Sequence, residues 1–381
     1  MSSTASFPQI SHTNSREVQL DFFRGLALCI IFIAHIPDNW LANYTYGRFG
    51  FSDSAELFIF VSGYTAARAF GRTFTQLGFW VGTIRVLHRC WQLYIAHLAL
   101  FFLLAAICAA GNKLHYIDYI GRLNLYFFFE RTPEAIVGLF SLSYVPNYFD
   151  ILPMYIVILA CVPLMMLLAR LHLILVPVMC LSIYLGMWWF NWALPAEIDS
   201  DRPWFFNPFG WQLLFFTGFL LGAGWMQAPR SSHVLALICL LFILLSIPLS
   251  NFPIYSQSIW LNNLRLNIDP LVIKTNFGIL RWIHFLALAG LTQYLLLYWQ
   301  SFFHTRFAQY TAKIGQQGLA LFLCSMILSY VAGMIMDYTG RHILDTILIN
   351  MFGLYCLWIL AYMIGWFKTV PWKNKTVMCL N

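Results

Sequence analysis

Five ionisable residues stand in or beside two very apolar stretches near the start of this chain. Asp21, Arg24 and His35 lie within residues 19–37, and Asp53 and Glu56 open the stretch 53–70. An imidazole close to a carboxylate is the arrangement of a general base. The carboxylate sets the tautomer at one ring nitrogen and raises the basicity of the other. On a helix, Arg24 and His35 are close to three full turns apart and share a face, and Asp21 joins it from one turn below Arg24. The seam can also be purely structural, with an interhelical ion pair and a packing histidine. Asp53 and Glu56 have three readings open: support for the imidazole, a hold on a substrate hydroxyl, or caps and dipole partners of their own helix.

The cost of these groups depends on what surrounds them. Of the 381 residues, 60% are hydrophobic and only 10% charged, with a mean hydropathy of +0.70. Ordinary globular chains carry about 25% charged residues, so this one has too few to cover itself in water. Apolar runs of about 20 residues point to membrane helices, whereas a barrel would show short alternating segments. The fold class expected is an all-α polytopic membrane protein with ten spans near 19–37, 53–70, 88–110, 147–169, 172–193, 210–228, 233–250, 280–299, 314–336 and 344–366. The interrupted amphipathic segment 120–142 suits an interfacial or re-entrant helix. One transmembrane domain, 17–368, is expected between disordered cytoplasmic tails at 1–16 and 369–381. The formal charge of +7 comes with basic residues in short segments beside the apolar runs. That is the pattern of positive-inside orientation with both ends inside, not of nucleic-acid binding. Charges inside a membrane are expensive and mark function by default.

Further polar residues extend the candidate site. Arg68, Arg72, Arg85 and Arg89, read as an inner loop between the second and third spans, match either several phosphates through bidentate contacts or the orientation signal alone. Asn207, Trp211 and Gln212 open the sixth span, and Arg281 and His284 open the eighth; both groups suit binding of hydroxyls on the outer side. The nine cysteines are scattered with no CxxC pair, and no set of histidines has metal-ligand spacing, so no metal and no tightly held cofactor is expected.

Longer motifs carry a resemblance. The run LDFFRGLALCIIFIAHIPDN (residues 20–39), followed by FGFSDSAELFIFVSGY (49–64), resembles the opening of the glucan biosynthesis protein C (OpgC) family. The ten residues separating Arg24 from His35 match the spacing typical of the wider membrane acyltransferase superfamily. NPFGWQLLFFTGFLLG (207–222) and LRWIHFLALAG (280–290) are similar to later family segments, so the likeness runs over residues 18–366. The resemblance implies a ten-span enzyme of the bacterial inner membrane that passes an acyl group to a periplasmic carbohydrate. In the family's namesake the group is succinyl and the acceptor an osmoregulated periplasmic glucan. It also implies that His35 is the superfamily histidine, Arg24 its arginine, and Asp53 and Glu56 the acidic pair. Cytosolic acyl-CoA would be the donor substrate, because thioesters are made inside while the acceptor lies outside. Either His35 deprotonates the acceptor hydroxyl or it carries the acyl group transiently. The rival class is a multi-span transporter of a small anionic or sugar solute. Oligomeric state is left open by the sequence.

Overall fold

Long apolar runs fold as helices here because, in lipid, a helix satisfies its own backbone polar groups. The computed structural model describes residues 7–8, 18–115 and 117–370. The tails expected at 1–16 and 369–381 fall almost wholly outside the described residues. In chain order come α1 (Val18–His35), α2 (Ser54–Ala66), a π-helical turn (Ala67–Gly71), α3 (Arg72–Leu77) and α4 (Phe79–His115). Three short helices (Tyr119–Arg122, Tyr126–Glu130, Thr132–Ser141) take the place of the amphipathic segment. Then follow α5 (Ile151–Ala160), α6 (Val162–Leu171), α7 (Leu175–Phe190), α8 (Pro208–Ala223) and α9 (His233–Ser250). After further short helices in 252–272, the chain ends with α10 (Ile279–Leu296), α11 (Arg306–Gln316), α12 (Gly318–Thr339) and α13 (Ile343–Lys368). Among the described residues there is no strand, only an isolated bridge between Pro195 and Pro203.

Helices stand at all ten expected stretches, and seven are long and apolar enough to cross a membrane: α1, Phe79–Leu114 of α4, the α5–α6 pair over Ile151–Leu171, α9, α10, α12 and α13. α7 and α8 are apolar but shorter. At 1.5 Å per residue, α8 reaches about 24 Å, below the ~30 Å hydrocarbon thickness. One expectation needs correction. The second and third spans are not joined by an arginine-bearing loop. α3 turns directly into α4 through Gly78, whose φ of +84° is a left-handed conformation that glycine adopts without strain. Within the fourth span the helix breaks once. It is re-started at Cys161, because Pro163 tolerates only the first turn of the helix that follows.

The chain divides into two compact units. One holds residues 14–49, 53–58 and 291–381; the other holds 1–13, 50–52 and 59–290. In the first, α1 meets α11 backbone to backbone. A Cβ built on Gly25 would lie 1.9 Å from the Thr311 carbonyl oxygen, and one on Gly315 would lie 1.8 Å from that of Asp21. Only glycine permits so close an approach, the small-residue contact by which apolar helices associate. Above that contact, Phe32 and Ile36 of the α1 end pack with Ala332, Met336 and Leu357 from α12 and α13. In the second unit, α8 is the central helix, with every residue buried except Phe209 and Leu221.

Candidate active site

The last turn of α1 carries His35, which is partly buried. Its Nδ1 lies 2.7 Å from the carbonyl oxygen of Ile31, one turn back. A carbonyl only accepts, so Nδ1 carries a proton, and in the neutral ring the lone pair sits on Nε2. The tautomer needed for a base at Nε2 is thus set by the helix's own backbone. Pro37, two residues on, has no N–H to give Ile33 O, and the chain leaves the helix there.

Asp53 and Glu56 belong to the same compact unit as His35. Asp53 accepts from the Ala55 N–H at 2.8 Å, and Glu56 accepts from the Asp53 N–H at 2.7 Å. This reciprocal pair is a capping box, which satisfies two of the orphan N–H groups that open α2. Glu56 is completely buried. Capping was one of the readings open for these carboxylates, and it accounts for one oxygen of each.

The arginines stand on helices. Arg24 sits low on α1, within 3.5 Å of the Gly315 carbonyl, with its aliphatic stem beside Gly318. In the other unit, Arg68 lies in the π-helical turn, donates to the Tyr64 hydroxyl at 2.9 Å and stacks over that ring. Arg85 reaches from α4 to the Ala69 carbonyl at 2.9 Å and to the Thr73 hydroxyl. A π-turn displaces carbonyls from their ordinary partners, and Arg85 takes up one of them. Arg72 opens α3, and Arg89, half-buried, holds Gln92.

Asn207, Trp211 and Gln212 are 2%, 0% and 4% exposed, and their polar atoms face inward. Asn207 caps α8 through the Phe209 N–H and donates to the Trp192 carbonyl and to Asn276. Trp211 Nε1 donates to the Lys274 carbonyl, and Gln212 Nε2 to that of Cys180. These bonds tie α8 to the segments around it. Arg281 is likewise buried, one turn before His284 on α10. Among the described residues, no three His, Cys, Asp or Glu side chains stand together as a metal site.

Comparison with known families settles the kinship. The model described as "OpgC protein" matches residues 16–369, nearly the whole chain. This chain belongs to the OpgC family. No curated protein and no solved structure matches it.

One pair in this OpgC-family chain was not visible from its motifs. Ser52 Oγ and His284 Nδ1 are 2.7 Å apart, both essentially inaccessible, and 232 residues separate them in sequence. Gly50 lies against the other edge of the ring, where a Cβ would come within 2.2 Å of Nε2, and that nitrogen has no hydrogen-bond partner among the described residues. Either atom of the Ser52–His284 pair can donate, so the tautomer of His284 is not set by its partner as that of His35 is. A serine one residue before a candidate carboxylate was the available signal, but its partner depends on tertiary packing.

Proposed function

We propose that this multi-pass membrane protein is an O-acyltransferase that moves an acyl group from cytosolic acyl-CoA to a hydroxyl of a periplasmic glucan or other envelope carbohydrate. Family membership implies an acyltransferase-type enzyme. In this reading ten helical stretches cross the bacterial inner membrane, with both termini inside, and succinyl is the acyl group favoured by the family's namesake. The observation that carries it is the His35 Nδ1 bond to Ile31 O, which presents Nε2 as the basic nitrogen. Nε2 takes the proton of the acceptor hydroxyl as its oxygen attacks the thioester carbonyl. The C–S bond breaks, the imidazolium returns the proton to the departing thiolate, and ester and free CoA leave. Glu56, buried in the same unit, stabilises the imidazolium that forms between these steps, and Asp53 orients the turn that bears it. Arg24 holds the donor near the inner face in this reading. Asn207, Trp211, Gln212, Arg281 and His284, all buried, serve the bundle and not the acceptor in this reading.

The test is acyl-CoA turnover by purified protein with an oligosaccharide acceptor. His35→Ala is expected to lower kcat by about 10³-fold, within the 10²–10⁴ range typical of a general base. Solute flux across a vesicle with no thioester cleavage would instead support the transporter.

A further inference from the structure

We infer that Asn39 is a positioning residue for His35, with Asn350 as its backing, an inference that rests on the proposed role of His35 as the base. Pro37 leaves Ile33 O, in the same last turn as His35, without the backbone donor that an α-helix would supply. The Asn39 side chain fills that place: its Nδ2 donates to Ile33 O at 2.9 Å. The second hydrogen of the same amide goes to Asn350 Oδ1, also at 2.9 Å. Asn39 Oδ1 accepts from the Leu41 N–H at 3.3 Å and from Asn350 Nδ2 at 3.4 Å, and Asn350 Nδ2 also donates to Thr346 O at 2.8 Å. The two fixed backbone partners, a carbonyl on one side and an N–H on the other, leave one orientation of the Asn39 amide. Both amides are nearly inaccessible, at 6% and 3% exposure.

The bond matters because of where it acts. A helix end whose carbonyls lack partners frays, and His35 is the last residue of α1. Its ring is oriented by Ile31 O, two residues before the carbonyl that Asn39 holds. Arg341 adds a second restraint just beyond, donating to Pro37 O at 2.7 Å while bound to Asp337. The α1 terminus is therefore held by side chains from the loop after it and from α13 and the α12–α13 turn. A displacement of about 1 Å in a reacting group costs about 10²-fold in rate.

The test measures kcat and acyl-donor KM in detergent-purified, monodisperse full-length protein. Asn39→Ala is expected to lower kcat by roughly 10- to 100-fold with KM unchanged. Asn350→Ala, which leaves the Asn39–Ile33 bond possible but unbacked, is expected to lower it less, and it serves if Asn39→Ala does not assemble. The decisive arm is Pro37→Ala in the Asn39→Ala background. It restores a backbone N–H able to reach Ile33 O and is expected to recover part of the lost kcat. A kcat within about twofold of wild type in both single variants overturns the inference, as does a loss that Pro37→Ala leaves untouched or one carried by KM. If His35→Ala itself turns over at the wild-type rate, the reading of His35 as base fails, whatever Asn39 does.

Discussion

His35 and His284 both have Nδ1 bonded within an apolar bundle, and their surroundings differ in the way that would separate a base from a brace. His35 gives its Nδ1 proton to a backbone carbonyl, a partner that can only accept, and remains partly accessible. His284 meets a serine hydroxyl that can donate or accept, is 1% exposed, and has Gly50 packed on its far edge. The first arrangement sets the lone pair at Nε2. The second fills space and links the segment before α2 to α10 but leaves the proton's place undetermined. A histidine's use therefore depends less on its depth than on whether its partner can act as a donor.

The widest separation between the two should appear in turnover. Where His35→Ala loses about 10³-fold in kcat, His284→Ala should stay within about tenfold of wild type and show its cost as a lower midpoint of thermal unfolding. Equal losses of kcat in two well-folded variants would erase the distinction. Glu56→Gln comes next. The amide still accepts from the Asp53 N–H, so the cap survives while the charge goes, and kcat should fall on the order of tenfold, the scale of about 1.4 kcal/mol. An unchanged kcat would confine Glu56 to capping. Ser52→Ala should leave kcat nearly intact and destabilise the fold by about 1–3 kcal/mol, because it strands His284 Nδ1 in a buried place; denaturation of the purified variant measures this.

A pH-dependent effect, on stability and not on turnover, belongs to Asp150, just ahead of α5. Burial pushes its carboxyl from 3.8 up to about 7, opposed in part by the Phe205 N–H that it accepts. A carboxyl raised on folding favours the folded state most below its ordinary value, and that advantage is lost as pH rises through about 7. Asp150→Asn keeps the acceptor without the charge. It should raise the unfolding midpoint at pH 8 and leave it unchanged near pH 4; an equal shift at both values would contradict the assignment.

Much of this was legible in the residues. Apolar length located the helices, and the spacing of Arg24 and His35 marked α1 as the helix to watch. The DSAE run allowed a cap as well as a catalytic pair, since a carboxylate at a helix start can do either. What was illegible depended on distant partners. Nothing local says that Asn39 pairs with Asn350, 311 residues away, or that Ser52 meets His284. The polar opening of α8 looked like a binding edge because Asn207 and Gln212 are hydrophilic. Their carbonyl partners, Trp192 O and Cys180 O, come from segments that only the folded unit brings alongside. The π-turn at Ala67–Gly71 was hidden because its composition is that of an ordinary helix.

The central claim, acyl transfer across the membrane with His35 as base, is tested most directly in sealed proteoliposomes. Acyl-CoA is supplied only on the face bearing the N-terminus, and an oligosaccharide acceptor only on the other. The account predicts acylated sugar on the acceptor side, an equal release of CoA thiol on the donor side, and loss of both with His35→Ala. Acylation only when both substrates share one face, or undiminished acylation by the His35→Ala protein, would contradict it.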